Sequence, residues 1–479
     1  MKNTLYDVIV VGSGPGGASA AALVAEAGLR VLLLEEGRRV SQSEVKPFSL
    51  KEMDSKYRNQ GVTVAFGKPK INYVEGSCVG GGSEVNSGLY YPPSKAIIDQ
   101  WKNDYSVQDL SYEELVQYSE IVKKDINVSY MPGTPPLASR KLQIGSEVLG
   151  WSSLEVPRWF KYDELGINST QTGVRQGMSE TYIPRFLQAN GKLISNFKVE
   201  RFNKAKGTWC VEGIDKQSSR KIEYNSTYLF IACGSVQTPA LLRQNGIVKN
   251  IGNSLKMHPT VKVIAKFPEI VNEENLGVPV HQVKEFAPKY SFGCAISSKE
   301  YLAAGLIDYP QTLSQINDDW KHLASYYAMS SGGKGLIRNI PALNTSVVKY
   351  SLDDNDMLIL GEAIKKLCLL LFKAGATELY PSISGLTPLQ NIGDIDKIPN
   401  VLDKNSTSIM TIHLMASCPM GEDKSKCAVD SYGQVHGVNG LYITDTSILC
   451  SSLGFNPQGT TLAIIRRNVL KFLESLSEK

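Results

Sequence analysis

The chain has few of the features that commit a protein to metal, membrane or nucleic acid. Its 479 residues include five histidines and eight cysteines. The cysteines stand at 78, 210, 233, 294, 368, 418, 427 and 450, with no C-x-x-C pair and no Cys/His group at zinc spacing. Free, mostly buried thiols in a reducing compartment are expected. The nearness of Cys418 and Cys427 in sequence does not establish a disulfide. No apolar run reaches the roughly 18 residues a membrane span needs. The best candidate, residues 18–34, is broken by Glu26 and Arg30. Val8 to Val11 is too short for a signal-peptide core and runs into a glycine loop, so a cytoplasmic location is expected. A net charge of +4 argues against nucleic acid or an anionic membrane as partner. What remains is an ordinary globular composition, 42% hydrophobic and 20% charged. The length suits two or three domains, or one large fold with insertions.

The strongest pattern is at the start. Residues 6–11 read as a strand buried on both faces, because the apolar residues do not alternate. Gly12-Ser13-Gly14-Pro15-Gly16-Gly17 follows at once, then an alanine-rich helix over 18–27 with Gly28 as its stop. Residues 31–34 form a second buried strand, closed by Glu35, with Glu36 expected to face solvent. This is a βαβ start with a G-x-G-x-x-G turn and an acid near the expected spacing. Gly12 permits the tight turn, Gly14 lets the backbone approach a pyrophosphate, and Gly17 allows close helix–strand packing. Glu35 would accept from ribose hydroxyls. The loop by itself does not separate NAD from FAD.

A second glycine cluster, Gly80-Gly81-Gly82-Ser83 ending at Asn86, implies close backbone approach to something flat or anionic. Further helices are expected from a capping box at Ser111-x-x-Glu114 to about residue 128, over 179–190, and over 357–373. A short strand is expected over 228–232. Residues 267–405 alternate short apolar stretches with turns and read as antiparallel sheet with helices. Near the C-terminus, His413 and Asn456 flank the stretch that contains Asp445. They suggest a base and a hydrogen-bonding amide.

Together these segments resemble the glucose–methanol–choline family of FAD oxidoreductases, nearly end to end. The resemblance rests on the N-terminal loop, the triple-glycine segment, Trp101 after Tyr90-Tyr91-Pro92-Pro93, residues 175–179, residues 234–239 and residues 412–461. It implies an α/β fold: a Rossmann-like FAD domain from 1–100, 192–266 and 406–479, and an α+β substrate domain from 101–191 and 267–405. It implies that Gly12, Gly14, Gly17 and Glu35 bind the ADP half of FAD. Gly80, Gly82, Ser83 and Asn86 would line the pyrophosphate and isoalloxazine. Val199 would read adenine through its backbone. Asp445 would lie near the pyrophosphate and ribityl chain, and Asn456, Pro457 and Thr460 beside the flavin ring.

His413 matches the family's catalytic histidine and Asn456 its second active-site residue. The implied reaction is oxidation of a small-molecule alcohol, with His413 as base, hydride transfer to flavin N5, and oxygen or another acceptor reoxidising the flavin. A rate that rises with pH as His413 loses its proton is expected. The alternatives are a lyase on the same scaffold with structural flavin, and a nonenzymatic flavin-binding module. Val85 replaces the histidine that carries covalent flavin in some members, so noncovalent FAD is expected. Ala416 stands where glycine is common, Cys450 where proline is usual, and Gln237-Thr238-Pro239 is a looser match. His258 and His436 are expected to be structural, and the roles of His281 and His322 stay open.

Overall fold

The computed structural model describes residues 5–162, 173–274, 276, 278–340 and 345–477. Leu5–Val11 lies at the centre of a seven-stranded sheet. It pairs in parallel with Arg220–Ile231 on one side and Val31–Leu34 on the other, so Val10 sits between Phe230 and Leu33. Lys192–Ile194 extends one edge in parallel, and Leu441–Ile443 pairs in parallel with the end of Arg220–Ile231. The antiparallel strands Phe197–Ala205 and Thr208–Asp215 extend the other edge. Val8 to Val11 and Val31 to Leu34 are all buried, as the unbroken apolar runs require. The strand expected over 228–232 is the end of a longer one, because its N-terminal half is polar and pairs at the edge.

Helix Pro15–Glu26 follows the first strand with proline in its first turn, and Gly28 at φ +90° stops it. It packs against the last helix, Gln458–Ser477. Tyr112–Asp125 ends before the expected residue 128. Its cap is one-sided: Ser111 accepts from the Glu114 amide, while the Glu114 carboxylate accepts from the Tyr118 hydroxyl. The helix expected over 179–190 is shorter, Tyr182–Gln188, because residues 178–181 form a turn first.

The second sheet has nine strands. Its path runs Thr63–Ala65, Ile71–Tyr73, Ile409–Thr411, Thr260–Lys266, Leu323–Ser330, Tyr290–Cys294, His281–Val283 and Ser153–Glu155, with Glu378–Pro381 beside Thr260–Lys266. All pairs are antiparallel except Ile409–Thr411 with Ile71–Tyr73. Alternation explains its two faces. Val261, Val263, Ala324, Tyr326 and Ala328 belong to the apolar core shared with Leu360, Ile364 and Leu367 of helix Asp354–Lys373. On the opposite face Gln282 bonds Asn456, while Ile264 packs with Leu302 and Leu306. The short strands at 63–73 and 409–411 pair with this sheet, although their sequence neighbours serve the first one.

All eight cysteines are free, six of them buried. Among the described residues no helix is long and apolar enough to cross a membrane. Helix Asp354–Lys373 starts three residues earlier than its apolar pattern suggests, because Asp353 and Asp356 form a reciprocal capping box. Asp353→Ala is expected to cost about 0.5–2 kcal/mol, measured as a lowered denaturant midpoint with an unchanged slope.

Candidate active site

The two sheets meet at a cavity of about 890 Å³. Its first wall is built from strand ends. Gly12 follows Leu5–Val11, Glu35 follows Val31–Leu34, Gly234 follows Arg220–Ile231, and Asp445 follows Leu441–Ile443. This is the crevice at the carboxyl ends of a parallel sheet, where open α/β folds take ligands. Helices Pro15–Glu26, Gly234–Gln244 and Gln458–Ser477 all begin at this wall. Their N-termini favour negative charge there.

The glycines divide by what a side chain would meet. A Cβ on Gly12 would stand 2.3 Å from the Ala232 carbonyl oxygen, on Gly16 1.9 Å from that of Thr444, and on Gly17 1.9 Å from that of Gly12. These three exist for backbone packing. A Cβ on Gly14 would meet nothing nearer than 4.0 Å, and on Gly82 nothing within 4 Å. Both face open cavity. They fit a dinucleotide lying against the backbone.

Two further observations support that fit. Glu35 is buried at the cavity wall, where its carboxylate accepts from the Ser13 amide at 2.9 Å, the Ser13 hydroxyl at 2.6 Å and the Gly37 amide at 2.8 Å. Burial raises its pKa against those bonds. Gln458 accepts from Asn86 Nδ2 at 2.8 Å, which leaves its own Nε2 buried without a hydrogen-bond partner among the described residues. Buried donors rarely stay unpaired, so this one suits a ligand acceptor.

Most of the expected residues come together. Gly12, Gly14, Glu35, Gly82, Asn86, Val199, His413, Asp445, Asn456 and Pro457 line the cavity. Val199 lies at a bulge in its strand, where pairing with the neighbouring strand is interrupted. Gly17, Gly80, Ser83 and Thr460 stand behind the wall. Gly80 donates its amide to Ser13 Oγ at 3.1 Å, tying the two glycine loops together. Ser83 donates to the Gly80 carbonyl and accepts from the Met178 amide. Asp445 accepts from the amides of Gly234 at 2.9 Å and Ser447 at 2.8 Å and from the Thr238 hydroxyl. Burial raises its pKa, opposed by these bonds. Glu36 does not simply face solvent; it pairs with Arg58 at 3.0 Å.

At the other end of the cavity, His413 Nε2 lies 3.3 Å from Asn456 Nδ2. His413 Nδ1 lies 2.9 Å from Nδ1 of His258, whose ring is perpendicular to it. Nε2 of His258 accepts from the Gly454 amide at 3.0 Å. That bond places the proton of neutral His258 on Nδ1, facing His413. The expectation that His258 is only structural is therefore incomplete. It sits just before strand Thr260–Lys266, which carries it to His413. Burial, then the nearby Lys284 charge, pulls the His413 pKa down to about 3. The His258 pKa is held well below its usual value by burial, then by His413 and Lys284. Asn456 Oδ1 accepts from Gln282 at 3.4 Å, and Gln282 accepts from Tyr91 at 2.9 Å and donates to Tyr327 at 3.1 Å. Gln282 and Tyr327 come from a region without motifs, and no sequence signal marked them; Tyr91 lies in the Tyr90-Tyr91-Pro92-Pro93 segment.

The remaining histidines lie elsewhere. His281 bonds Ser139, His322 the carbonyls of Phe267 and Glu269, and His436 the Gly421 carbonyl. Ala416 adopts φ +61°, a left-handed conformation that explains why glycine is common at that position.

Comparison with known proteins agrees with this geometry. Family models described as GMC oxidoreductase match residues 53–260 and 341–464, and an NAD(P)-binding Rossmann-like model matches 10–47. An uncharacterised GMC-type oxidoreductase of Sinorhizobium fredii is 34% identical, over 96% of this chain and 93% of that protein. The chain belongs to the GMC oxidoreductase family. These are the glucose–methanol–choline FAD oxidoreductases that the motifs resemble. A long-chain-alcohol oxidase of Arabidopsis thaliana is 26% identical, over 95% of this chain and 65% of that protein. Among solved structures, a formate oxidase of Aspergillus oryzae superposes with a TM-score of 0.76 at 15% identity, covering 100% of this chain and 99% of that one. A pyridoxine 4-oxidase gives 0.72 at 14% identity, covering 98% and 99%. Both establish the shared fold.

The glycines give a direct contrast. Gly14→Ala is expected to leave the thermal stability of the cofactor-free protein unchanged and to weaken FAD binding at least tenfold in a titration. Gly16→Ala, which drives a methyl into the Thr444 carbonyl, is expected to lower that stability itself.

Proposed function

We propose that this protein is an FAD-dependent oxidoreductase that converts an alcohol to an aldehyde or ketone, with His413 taking the hydroxyl proton. The observation that carries this reading is that the glycine loop and the His413–Asn456 pair open onto one cavity. The name of the long-chain-alcohol oxidase supports the same substrate class.

Gly12, Gly14, Glu35 and Val199 would hold the ADP half of FAD, with the helix N-termini at its pyrophosphate. Gly82, Asn86, Pro457 and the unpaired Gln458 amide would meet the ring system. Bound FAD supplies the two-electron acceptor that no side chain offers. Val85 lines this part of the cavity and has no nucleophilic atom, so no covalent link to the cofactor forms at that position. The expected domain bounds need correction: Thr63–Ala65, Ile71–Tyr73, Thr260–Lys266 and Ile409–Thr411 belong to the second sheet, which would shape the substrate side, while Trp101 and helix Tyr112–Asp125 pack in the core of the first sheet, which would carry the cofactor.

His413 is neutral at any ordinary working pH, and neutral imidazole is the form that can accept a proton. Accepting it at Nε2 requires the ring's own proton on Nδ1. With that tautomer His413 Nδ1 donates to His258 Nδ1, so His258 must carry its own proton on Nε2 and give up the Gly454 bond when the site is ready to react. The Asn456 amide, held by Gln282, restricts the orientation of the developing alkoxide.

His413→Ala is expected to retain bound FAD, read from the flavin spectrum, and to slow anaerobic flavin reduction by on the order of 10²–10⁴-fold. Near-normal reduction by that variant would remove His413 from the mechanism. The depressed pKa also moves the expected rise of rate with pH far to the acid side. His413 stays deprotonated above about pH 4, so the reduction rate should change little between pH 5 and 7. A tenfold rise per pH unit across that range would contradict this assignment.

A further inference from the structure

The inner face of the second sheet carries two half-buried lysines that the reaction does not use. Register places them. Lys262 lies opposite Tyr327, Tyr327 opposite Gly293, and Gly293 opposite Gln282, so these four share one face. That face looks at the reaction pair, because Gln282 bonds Asn456 and Tyr327 bonds Gln282. Lys284, two residues beyond Gln282, projects to the same side. Its ammonium donates to Ser291 Oγ at 3.3 Å and lies 4.8 Å from the centre of the Tyr91 ring. Tyr91 in turn packs on Phe455, the neighbour of Asn456, at 5.5 Å.

Neither lysine forms an ion pair with a carboxylate among the described residues. Burial alone brings both pKa values down to about 8, with no acid contributing. The charge of Lys284 reaches both His413 and His258. Buried charges are ordinarily paired, because an unpaired one loses its hydration without compensation. A cation held beside a catalytic histidine with no protein anion is therefore a place for an anion from outside.

We propose that Lys284, with Lys262 further along the same face, receives a carboxylate or phosphate group of the substrate, so that the preferred alcohol is an anionic one. The proposal rests on the alcohol-oxidation reading and narrows it. The same positive face disfavours amino alcohols and gives a neutral aliphatic alcohol no counterpart for the ammonium groups. Tyr91 and Phe455, packed on each other, give an apolar surface beside the Lys284 ammonium.

The test uses the FAD-loaded protein and a matched series: hydroxycarboxylic acids of increasing length, their methylamides, and amino alcohols of the same length. Anaerobic flavin bleaching should favour an acid over its methylamide by at least tenfold in kcat/KM. Lys284→Met should collapse that ratio at least tenfold, and Lys284→Arg should retain most of it. Independently of turnover, acetate or inorganic phosphate should raise the thermal unfolding temperature of the oxidised protein, and Lys284→Met should abolish the rise. Equal use of acid and methylamide by the wild type, or a ratio unchanged in Lys284→Met, overturns the proposal. Bleaching by no alcohol of any class overturns the oxidation reading instead. In that case a rise with acetate or phosphate that Lys284→Met abolishes upholds the anion site, and its absence removes that too.

Discussion

The site depends on backbone packed directly against backbone. Gly12 lies against the Ala232 carbonyl, Gly16 against that of Thr444 and Gly17 against Gly12, each closer than any side chain allows. These contacts pin the first turn of helix Pro15–Glu26 to the ends of Leu5–Val11, Arg220–Ile231 and Leu441–Ile443. Everything polar on that wall follows from the pinning. Glu35, Gly234 and Asp445 are the residues after strands whose register is fixed by the sheet, so they arrive at one crevice from distant parts of the sequence. The open faces of Gly14 and Gly82 are what remains once the other glycines are filled by protein.

The chain therefore shows its cofactor end plainly in sequence. The turn, the following helix and the acid after the second strand are local, and each has a mechanical reason to sit where it does. The substrate end is far less legible. Its strands are short, and those at 63–73 and 409–411 lie beside motifs that belong to the other sheet. Alternation in such strands shows two faces without saying what each face meets. His258 illustrates the difficulty. A lone histidine before a proline suggests structure, and only the pairing of Thr260–Lys266 with its neighbours brings that ring to His413. Gln282 and Lys284 carry no motif at all; their roles come from the register of His281–Val283 with Tyr290–Cys294.

The family assignment and the geometry support each other at different scales. Relatives matched over nearly the whole chain identify the scaffold and its class of cofactor. They leave the inner face of the second sheet to be read from this chain alone. There the hydrogen-bonded series from His413 through Asn456 and Gln282 to Tyr91 and Tyr327 joins the proposed catalytic pair to the second sheet. A change on that wall acts on the orientation of Asn456, and through it on the position of a bound hydroxyl.

The electrostatics give the arrangement a direction. Desolvation and the charge of Lys284 both oppose a proton on His413. Such a histidine is always deprotonated but is a weak base. An anion beside Lys284 cancels part of the opposing field at the moment the substrate arrives. The affinity of His413 for a proton then rises only when an alcohol is in place to give one. Exclusion of water by the same substrate strengthens the effect, because the field is less screened in a dry site. On this argument the unpaired lysine and the depressed histidine are two parts of one device: the empty site suppresses the base, and the substrate's own charge restores it.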